Sequence, residues 1–148
     1  MKYYQIEKQI GKKEIYHICF SVYKSKWLFQ GIYKRCLNKL IIKIAKDKNI
    51  KIFIFKIMPD HVHVLLKKDE KQLVPQIAQY LKGMSSFYLF KNYPQLKRDM
   101  KTLHLWTSGY WAVKIKDKKQ FNNTYNYIKN NDLKYKEFIN KNKNSPTL

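Results

Sequence analysis

Residues 59–66, Pro59-Asp60-His61-Val62-His63-Val64-Leu65-Leu66, predict a β-strand that begins directly after a turn. Side chains alternate between the two faces of a strand, so residues two apart point the same way, roughly 7 Å apart along the backbone. The two valines and Leu66 then form one apolar face, where a core would lie. Imidazoles at this spacing can bind one metal ion, so His61 and His63 are candidate metal ligands.

The segments before this strand predict a strand, a helix and a second strand. Apolar residues alternate over Ile15–Tyr23, which is typical of a strand, whereas Gln30–Lys46 places them at helical spacing. Ile50–Met58 is apolar on both faces, as expected of a central strand. Pro59-Asp60 then favours a hairpin into the histidine strand, His61–Lys67.

The segments after the histidine strand predict a helix, a loop and extended structure. Gln72–Phe90 has helical periodicity, and its glycine, Gly83, indicates a point of close packing. The residues expected to point inward are Leu73, Ile77, Leu81, Met84 and Tyr88. Asn92–Lys101 is polar and basic and predicts a loop. Leu103–Ile115 favours extended structure with a turn at Ser108-Gly109.

A third helix is predicted near the C-terminus, because Asp117 and Gln120 form a plausible N-terminal cap. The resulting order, β-α-β-β-α-β-α, favours an α+β fold: a ferredoxin-like antiparallel sheet with an added C-terminal helix. We expect one domain over residues 1–140 and a polar tail over 141–148. Cys19 and Cys36 are too few and too isolated for a disulfide framework.

The net charge of +21, from 31 Lys and Arg against 10 Asp and Glu, predicts a nucleic-acid partner. The chain also has 12 Tyr, 8 Phe and 3 Trp, and unpaired bases stack on such side chains. The alternative is the Lys-, Asn- and Ile-rich composition of an AT-rich genome, which would raise the charge without any role in DNA binding. With no transmembrane or signal segment in the sequence, we expect a cytoplasmic, nucleoid-associated protein.

The third helix carries a candidate nucleophile. Its apolar stripe does not require Tyr127, and Asn131 lies four residues further on, roughly 80–120° from the centre of that stripe. Most tyrosines in a chain with so many are packing residues, so the position alone does not assign a role to Tyr127. His17 and His104 have no such partner in the sequence and are interpreted as structural.

Four separated segments resemble the motifs of one family in the same order: PDHVHVLL at 59–66, LKGMSSFYLF at 81–90, LWTSGYW at 105–111 and YNYIKNND at 125–132. Together they resemble the single-tyrosine HUH transposases of small insertion sequences that move as single-stranded DNA, the insertion-sequence-200-like family. The REP-associated tyrosine transposases, a domesticated branch, are also similar, since their tyrosine helix often reads YIxNNP. The insertion-sequence branch usually has Gln where this chain has Asn131.

The resemblance implies a site and a fold. His61 and His63 would bind a divalent cation, Mg²⁺ or Mn²⁺, Asn131 would complete its ligand shell, and Tyr127 would be the nucleophile. Asp60 would either orient a histidine or only shape the turn. The HUH endonuclease fold implied by the resemblance has helices on one face of the sheet and the site on the other.

The resemblance also implies an activity. The protein would be a transposase that cuts and rejoins single-stranded DNA at hairpin-marked ends through a covalent 5′-phosphotyrosine, without a nucleotide cofactor. Family members are commonly homodimers, in which the tyrosine helix can serve the partner's site. Basic side chains would contact DNA phosphates, and the candidates are Lys82, Lys91, Lys97, Arg98, Lys101 and Lys114.

Three other functions are compatible with parts of this pattern. A domesticated or non-catalytic protein would bind DNA hairpins without cutting them, and the shorter Asn131 keeps this alternative open. A rolling-circle initiator or relaxase of the HUH class usually has a longer chain. An RNA-binding ferredoxin-like module would leave the two histidines without a role.

Overall fold

The computed structural model of this protein describes residues 14–131. Its strands are β1 Glu14–Ser21, β2 Lys51–Ile57, β3 His61–Lys68 and β4 Trp111–Lys114. Its α-helices are α1 Gly31–Asp47, α2 Val74–Gln79, α3 Ser85–Asn92, α4 Pro94–Met100 and α5 Lys118–Lys129. None of these helices is long and apolar enough to cross a membrane. The predicted tail, 141–148, lies outside the described residues.

The four strands form one sheet in the order β2-β3-β1-β4, and every neighbouring pair is antiparallel. This topology confirms the predicted ferredoxin-like α+β fold with an added C-terminal helix. The predicted hairpin is also confirmed, because the Met58 N–H donates to the His61 carbonyl at 2.8 Å across Pro59-Asp60. The backbone N–H of Val22 donates to the Asp60 carbonyl at 2.8 Å, which attaches this turn to the end of β1.

The prediction that β2 is a central strand is wrong, because β2 lies at the edge of the described sheet. Its two apolar faces have another cause. The register against β3 shifts between Ile52 and Ile54, so Ile52 and Phe55 pack on one core cluster while Phe53 and Ile54 pack on the other. A strand covered on both faces has the composition of a central strand even at the sheet edge.

The larger core lies between the sheet and helices α1–α4. Val62, Val64 and Leu66 of β3 are fully buried there, as the alternation predicts. Burying one such side chain stabilises the fold by about 1.5–3 kcal/mol. A smaller cluster fills part of the opposite face, where Leu65 packs with residues of α5. Helix α5 therefore covers the face of the sheet that carries the histidines.

The predicted helix over 72–90 contains a π-helical turn, Tyr80–Met84, between α2 and α3. Such a turn inserts one residue, so the buried stripe changes phase after Leu81. The fully buried positions are Ser85 and Leu89, whereas Met84 and Tyr88, which were predicted to point inward, are only partly buried. Leu73, predicted to point inward, precedes α2 and is 64% exposed. A Cβ added at Gly83 would meet nothing within 4 Å, so the predicted close packing is wrong.

The prediction of a loop over Asn92–Lys101 is also wrong, because residues 94–100 form α4. Pro94 occupies the first turn, where its missing N–H costs nothing. Leu96 and Met100 are buried in the larger core. These two apolar side chains attach α4 to the core, although most of its other residues are polar. The chain leaves α4 through Lys101 in a left-handed conformation.

Extended structure over Leu103–Ile115 is confirmed only in part. Trp106 forms an isolated bridge with Val22, and β4 begins at Trp111 after a turn in which Gly109 has a φ of +82°. Lys82 of the π-helical turn donates to the carbonyls of Thr107 and Gly109. The helix and the turn before β4 are therefore joined directly.

Candidate active site on the histidine face of the sheet

Three histidines meet where β1 and β3 pair. The register places His63 opposite Cys19 and His61 opposite Ser21, so His17 lies diagonally across from His63 on the same face. The ring centroids of His61 and His63 are 4.8 Å apart, and those of His17 and His63 are 5.2 Å apart. Antiparallel pairing therefore adds a third imidazole to the pair that alternation in β3 places together.

Each histidine of the pair has a different partner at Nδ1. The Nδ1 of His61 lies 2.7 Å from Oδ1 of Asp60, which favours the orienting role over a role in the turn alone. The Nδ1 of His63 lies 3.0 Å from Nε2 of His17. Hydrogen bonds of this kind fix the orientation of a histidine ring and the nitrogen that keeps a lone pair.

Helix α5 brings Tyr127 to the same place. Asp117 caps the helix by accepting from the Gln120 N–H at 2.8 Å, as predicted, and Phe121 and Ile128 bury its apolar stripe. The Tyr127 ring lies off that stripe, 42% exposed, with its centroid 5.5 Å from that of His63 in the same chain. The Tyr127 phenol and the His63 imidazole of one chain therefore lie side by side.

An open pocket of about 630 Å³ lies between the sheet and α5. Its lining residues are His17, Cys19, His63, Trp111, Asn123, Thr124 and Tyr127. Trp111 packs edge-on against His17, with ring centroids 4.8 Å apart, and is 52% exposed. The pocket therefore combines an exposed indole with a phenol and two imidazoles.

Burial controls the charge of the groups in this pocket. It lowers the pKa of His63 to about 3, with help from His61 and His17, and lowers the pKa of His17 to about 4. Both rings are therefore neutral near pH 7, which is the form that binds metals. Burial also raises the pKa of the Cys19 thiol to about 11, so it stays protonated and is a poor nucleophile.

Asn131 lies just past the end of α5, in a different environment from Tyr127. The helix ends at Lys129, so Asn131 is not part of α5. Asn131 is only 7% exposed, and among residues 14–131 its Nδ2 has no hydrogen-bond partner. Within that range no hydrogen bond joins it to His61 or His63.

The donor chemistry of this site fits a divalent cation in part. His61 and His63 can each offer one nitrogen, and a buried amide with an unpartnered Nδ2 is poorly explained by packing alone. No three His, Cys, Asp or Glu side chains of the described segment are placed to hold one ion, so a third donor would have to be of another type. An amide oxygen, such as Oδ1 of Asn131, is a donor of another type, and oxygen is what Mg²⁺ prefers.

The six candidate DNA-binding residues lie away from the histidine face. Lys91, Lys97, Arg98 and Lys101 are on or next to α3 and α4, in the helical layer across the sheet. Two others already have partners: Lys82 donates to carbonyls before β4, and Lys114 pairs with Glu14 at 3.2 Å. The four residues near α3 and α4 are exposed and are called the basic surface below, and none of the six lines the pocket.

Sequence reasoning missed His17 and Trp111. Alternation places His17 on the same face of β1 as Cys19, but its partner is 46 residues away and is specified by strand register. Trp111 reaches the pocket because β4 pairs with β1 opposite Cys19. The signal for His17 was a histidine on the non-core face of a predicted strand, which by itself does not identify a partner.

Comparison with known proteins shows the family. Residues 12–131 match the family described as Transposase IS200 like. The chain is 31% identical over 97 residues to the transposase for insertion sequence element IS200 of Salmonella typhimurium, covering 66% of this chain and 64% of that protein. It is 29% identical over 102 residues to the ISDra2 transposase TnpA of Deinococcus radiodurans, covering 69% and 73%. The chain thus spans less than two thirds of the Salmonella protein.

Solved structures share the fold. A crystal structure of a candidate transposase from Deinococcus radiodurans has a TM-score of 0.66 at 24% identity, covering 80% of this chain and 90% of that one. A REP-associated tyrosine transposase bound to a REP hairpin has a TM-score of 0.64 at 16% identity, covering 84% and 69%. With the family match extending over most of the sequence, the chain belongs to the IS200-like transposase family.

Proposed function

We propose that this protein cuts and rejoins single-stranded DNA at hairpin-marked ends, using Tyr127 as the nucleophile. The observation that carries the proposal is the position of the Tyr127 ring, 5.5 Å from His63 at the edge of an open pocket. Its helix and the histidine strand are distant in sequence, and the helix packs through other residues. Tyr127 is therefore not part of the apolar stripe of α5, and its ring contacts His63 and His17 instead.

The proposed reaction consists of two transesterification steps. The phenol of Tyr127 loses its proton and attacks the scissile phosphorus, forming an O–P bond while the bond from phosphorus to the 3′-oxygen breaks. The 3′-oxygen takes up a proton and leaves as a 3′-OH, and the downstream strand stays on the protein as a 5′-phosphotyrosine. Another 3′-OH can then attack this phosphotyrosine, which rejoins DNA and releases Tyr127 without ATP.

The chain's own residues prepare this reaction. His61, His63 and Asn131 would hold Mg²⁺ or Mn²⁺, and Asp60 orients His61. When bound, such a cation supplies Lewis-acid polarisation of the phosphate and stabilises the charge that develops on its oxygens. Since neutral imidazole is not the usual partner of Mg²⁺, Mn²⁺ is expected to bind more tightly.

Binding of DNA would use the charge and the aromatic side chains. The net charge of +21 attracts the phosphate backbone, and the half-exposed Trp111 offers a stacking surface for an unpaired base inside the pocket. A hairpin would contact the basic surface of α3 and α4. One solved structure with this fold holds a REP hairpin, which supports a hairpin substrate here. A homodimer would present two such sites.

A non-catalytic DNA-hairpin-binding protein, such as a domesticated REP-associated relative, is the second candidate. The observation that favours it is Asn131, whose side chain is one methylene shorter than the Gln that the insertion-sequence branch usually has at this position. Such a protein would bind hairpins with the same affinity with or without the phenol of Tyr127.

The adduct with Tyr127 tests the proposal. Single strands covering the DNA on both sides of this gene are incubated with the protein and Mn²⁺, then separated under denaturing conditions. We expect a covalent protein–DNA band for the wild type and for Tyr125→Phe, a matched control in the same helix. Tyr127→Phe should lose the band but keep its DNA affinity. A band that persists in Tyr127→Phe, or none with any strand, would reject Tyr127 as the nucleophile.

A further inference from the structure

His17 is a buried polar side chain that the reaction described above does not use. It is 7% exposed, and its ring lies between the indole of Trp111 and the ring of His63. Its Nε2 is 3.0 Å from Nδ1 of His63. A histidine confined on two sides by these rings has a defined orientation, so its hydrogen bond acts on one particular nitrogen of His63.

The neighbouring histidine shows what such a bond does. Nδ1 of His61 lies 2.7 Å from Oδ1 of Asp60, and an ionised carboxylate can only accept a hydrogen bond. The proton of neutral His61 is therefore on Nδ1, and its lone pair is on Nε2. Asp60 thereby makes Nε2 the nitrogen through which His61 can bind a ligand.

We propose that His17 is a positioning residue that does for His63 what Asp60 does for His61. Its Nε2 accepts the Nδ1–H of His63, which leaves the lone pair of His63 on Nε2. Both histidines of the pair then have the same tautomer, set by different acceptors. The proposal rests on the proposed function for the role of His63 as a metal ligand, while the tautomer itself is a property of the metal-free protein.

The direction of this hydrogen bond decides whether His63 can act as a ligand. If His17 donated instead, Nδ1 of His63 would be the acceptor and Nε2 would carry the proton. Neither nitrogen of neutral His63 would then have a lone pair available for a cation. The position of a single proton between β1 and β3 therefore decides whether both histidines or only His61 can bind the cation.

The tautomer can be measured without metal or DNA. Imidazole ¹⁵N shifts of the full chain near neutral pH, recorded after removal of metal, report which nitrogen of His63 carries the proton. We expect Nδ1–H for His63 in the wild type. An Nε2–H tautomer for His63 would overturn the proposal directly, even if every variant of His17 failed to fold.

Variants of His17 test the consequence for the cation. His17→Leu removes the acceptor, so the share of His63 in the Nε2–H tautomer should rise and Mn²⁺ should bind about 10- to 100-fold more weakly. His17→Gln places an amide oxygen near the position of Nε2 and should restore both properties. His104→Leu, at an exposed histidine outside the pocket, is the matched control and should leave both properties unchanged.

The results separate this inference from the proposed function. Unchanged Mn²⁺ affinity in folded His17→Leu, or a loss that His17→Gln does not rescue, would reject His17 as a positioning residue, even when the wild type forms the adduct. If the tautomer and Mn²⁺ affinity change as expected but no adduct forms, the positioning role of His17 is supported and the role of Tyr127 as nucleophile is rejected. Circular dichroism and thermal unfolding identify variants that fail to fold.

Discussion

Single side chains at this site carry properties that their residue types alone do not reveal. His17 looks structural in the sequence, and strand pairing makes it a partner of His63. His61, His63 and Tyr127 could be selected from spacing and resemblance, and the fold brings His63 and Tyr127 together in one chain. Asn131 could be selected too, but its burial past the end of α5 depends on where that helix stops.

Asn131 gives a prediction in which stability and function move in opposite directions. Its Nδ2 is buried and lacks a partner among residues 14–131, and an unpaired buried donor costs about 1–3 kcal/mol. Asn131→Leu has similar volume and no polar group, so its free energy of unfolding in urea should equal or exceed that of the wild type. Its Mn²⁺ affinity should fall, because an oxygen donor is lost.

The matched variant is Asn131→Gln, which keeps the amide but lengthens it by one methylene. It should retain more of the Mn²⁺ affinity than Asn131→Leu does. A clear loss of stability in Asn131→Leu would mean that the amide is satisfied in the folded protein and serves packing. Equal Mn²⁺ affinity in both variants and the wild type would remove Asn131 from the ligand shell.

Individual helices and strands followed the sequence pattern except where a local irregularity changed its phase. The π-helical turn Tyr80–Met84 moves the buried stripe by one residue. No residue type in the sequence predicts this extra residue. The register shift in β2 likewise places two consecutive side chains, Phe53 and Ile54, on one core cluster. Helix α4 has only two buried residues, Leu96 and Met100, and most of its other residues are polar, so its sequence pattern predicted a loop.

Two glycines with the same open surroundings but different backbone angles give opposite predictions. A Cβ at either Gly83 or Gly109 would meet nothing within 4 Å, but only Gly109 has a positive φ, of +82°. Gly83→Ala should stabilise the protein by about 0.4–1 kcal/mol, since it restricts the unfolded chain. Gly109→Ala should destabilise it by about 1–2 kcal/mol, because left-handed backbone strains an L side chain. Urea unfolding of both variants measures the difference, and a destabilising Gly83→Ala would contradict the account of the π-helical turn.

One carboxylate, that of Glu14, forms ion pairs that join the ends of three strands. It predicts how the free energy of unfolding depends on pH. Glu14 of β1 accepts from Lys68 of β3 at 3.1 Å and from Lys114 of β4 at 3.2 Å. The bond from Lys68, followed by those from Lys114 and Tyr16, lowers the pKa of Glu14 from 4.5 to about 2. Because the folded-state pKa is the lower one, the stabilising contribution is complete above the unfolded pKa and is lost as pH falls through the folded value.

The loss of stability in Glu14→Gln relative to the wild type should therefore be constant at neutral and mildly acidic pH. It should shrink below pH 4.5 and approach zero near pH 2, the window set by the two pKa values. Urea unfolding of both proteins over this range gives the comparison. A difference that grows on acidification would show that Glu14 has a raised pKa in the folded protein.

The whole molecule places its basic surface and its pocket on different faces of one sheet. The strand order could be predicted from the order of elements, because a β-α-β-β-α-β chain has few ways to pair its strands without crossing connections. The relative placement of charge and pocket could not, since it depends on which face each helix covers. DNA that reaches both would pass around the β4 edge, where Trp111 is half exposed.

This arrangement predicts a specific salt dependence of DNA binding. Replacing Lys97, Arg98 and Lys101 by Gln should reduce the magnitude of the slope of log affinity against log salt by about 2 to 3, at about 0.7 per phosphate contact on a single strand and about 0.9 on a duplex. The matched control, Lys34→Gln with Lys39→Gln and Lys43→Gln on the exposed face of α1, removes the same charge and should change the slope less. Equal changes would mean that net charge alone, rather than the α4 surface, determines binding.

The identity of the modified side chain tests the central claim most directly. After reaction with single strands from either side of the gene, the adduct is digested with protease and nuclease, and its peptides are sequenced by mass spectrometry. We expect one nucleotide attached through its 5′-phosphate to Tyr127, and a free 3′-OH on the released upstream strand. A nucleotide on any other residue, or attachment through a 3′-phosphate, would contradict the account.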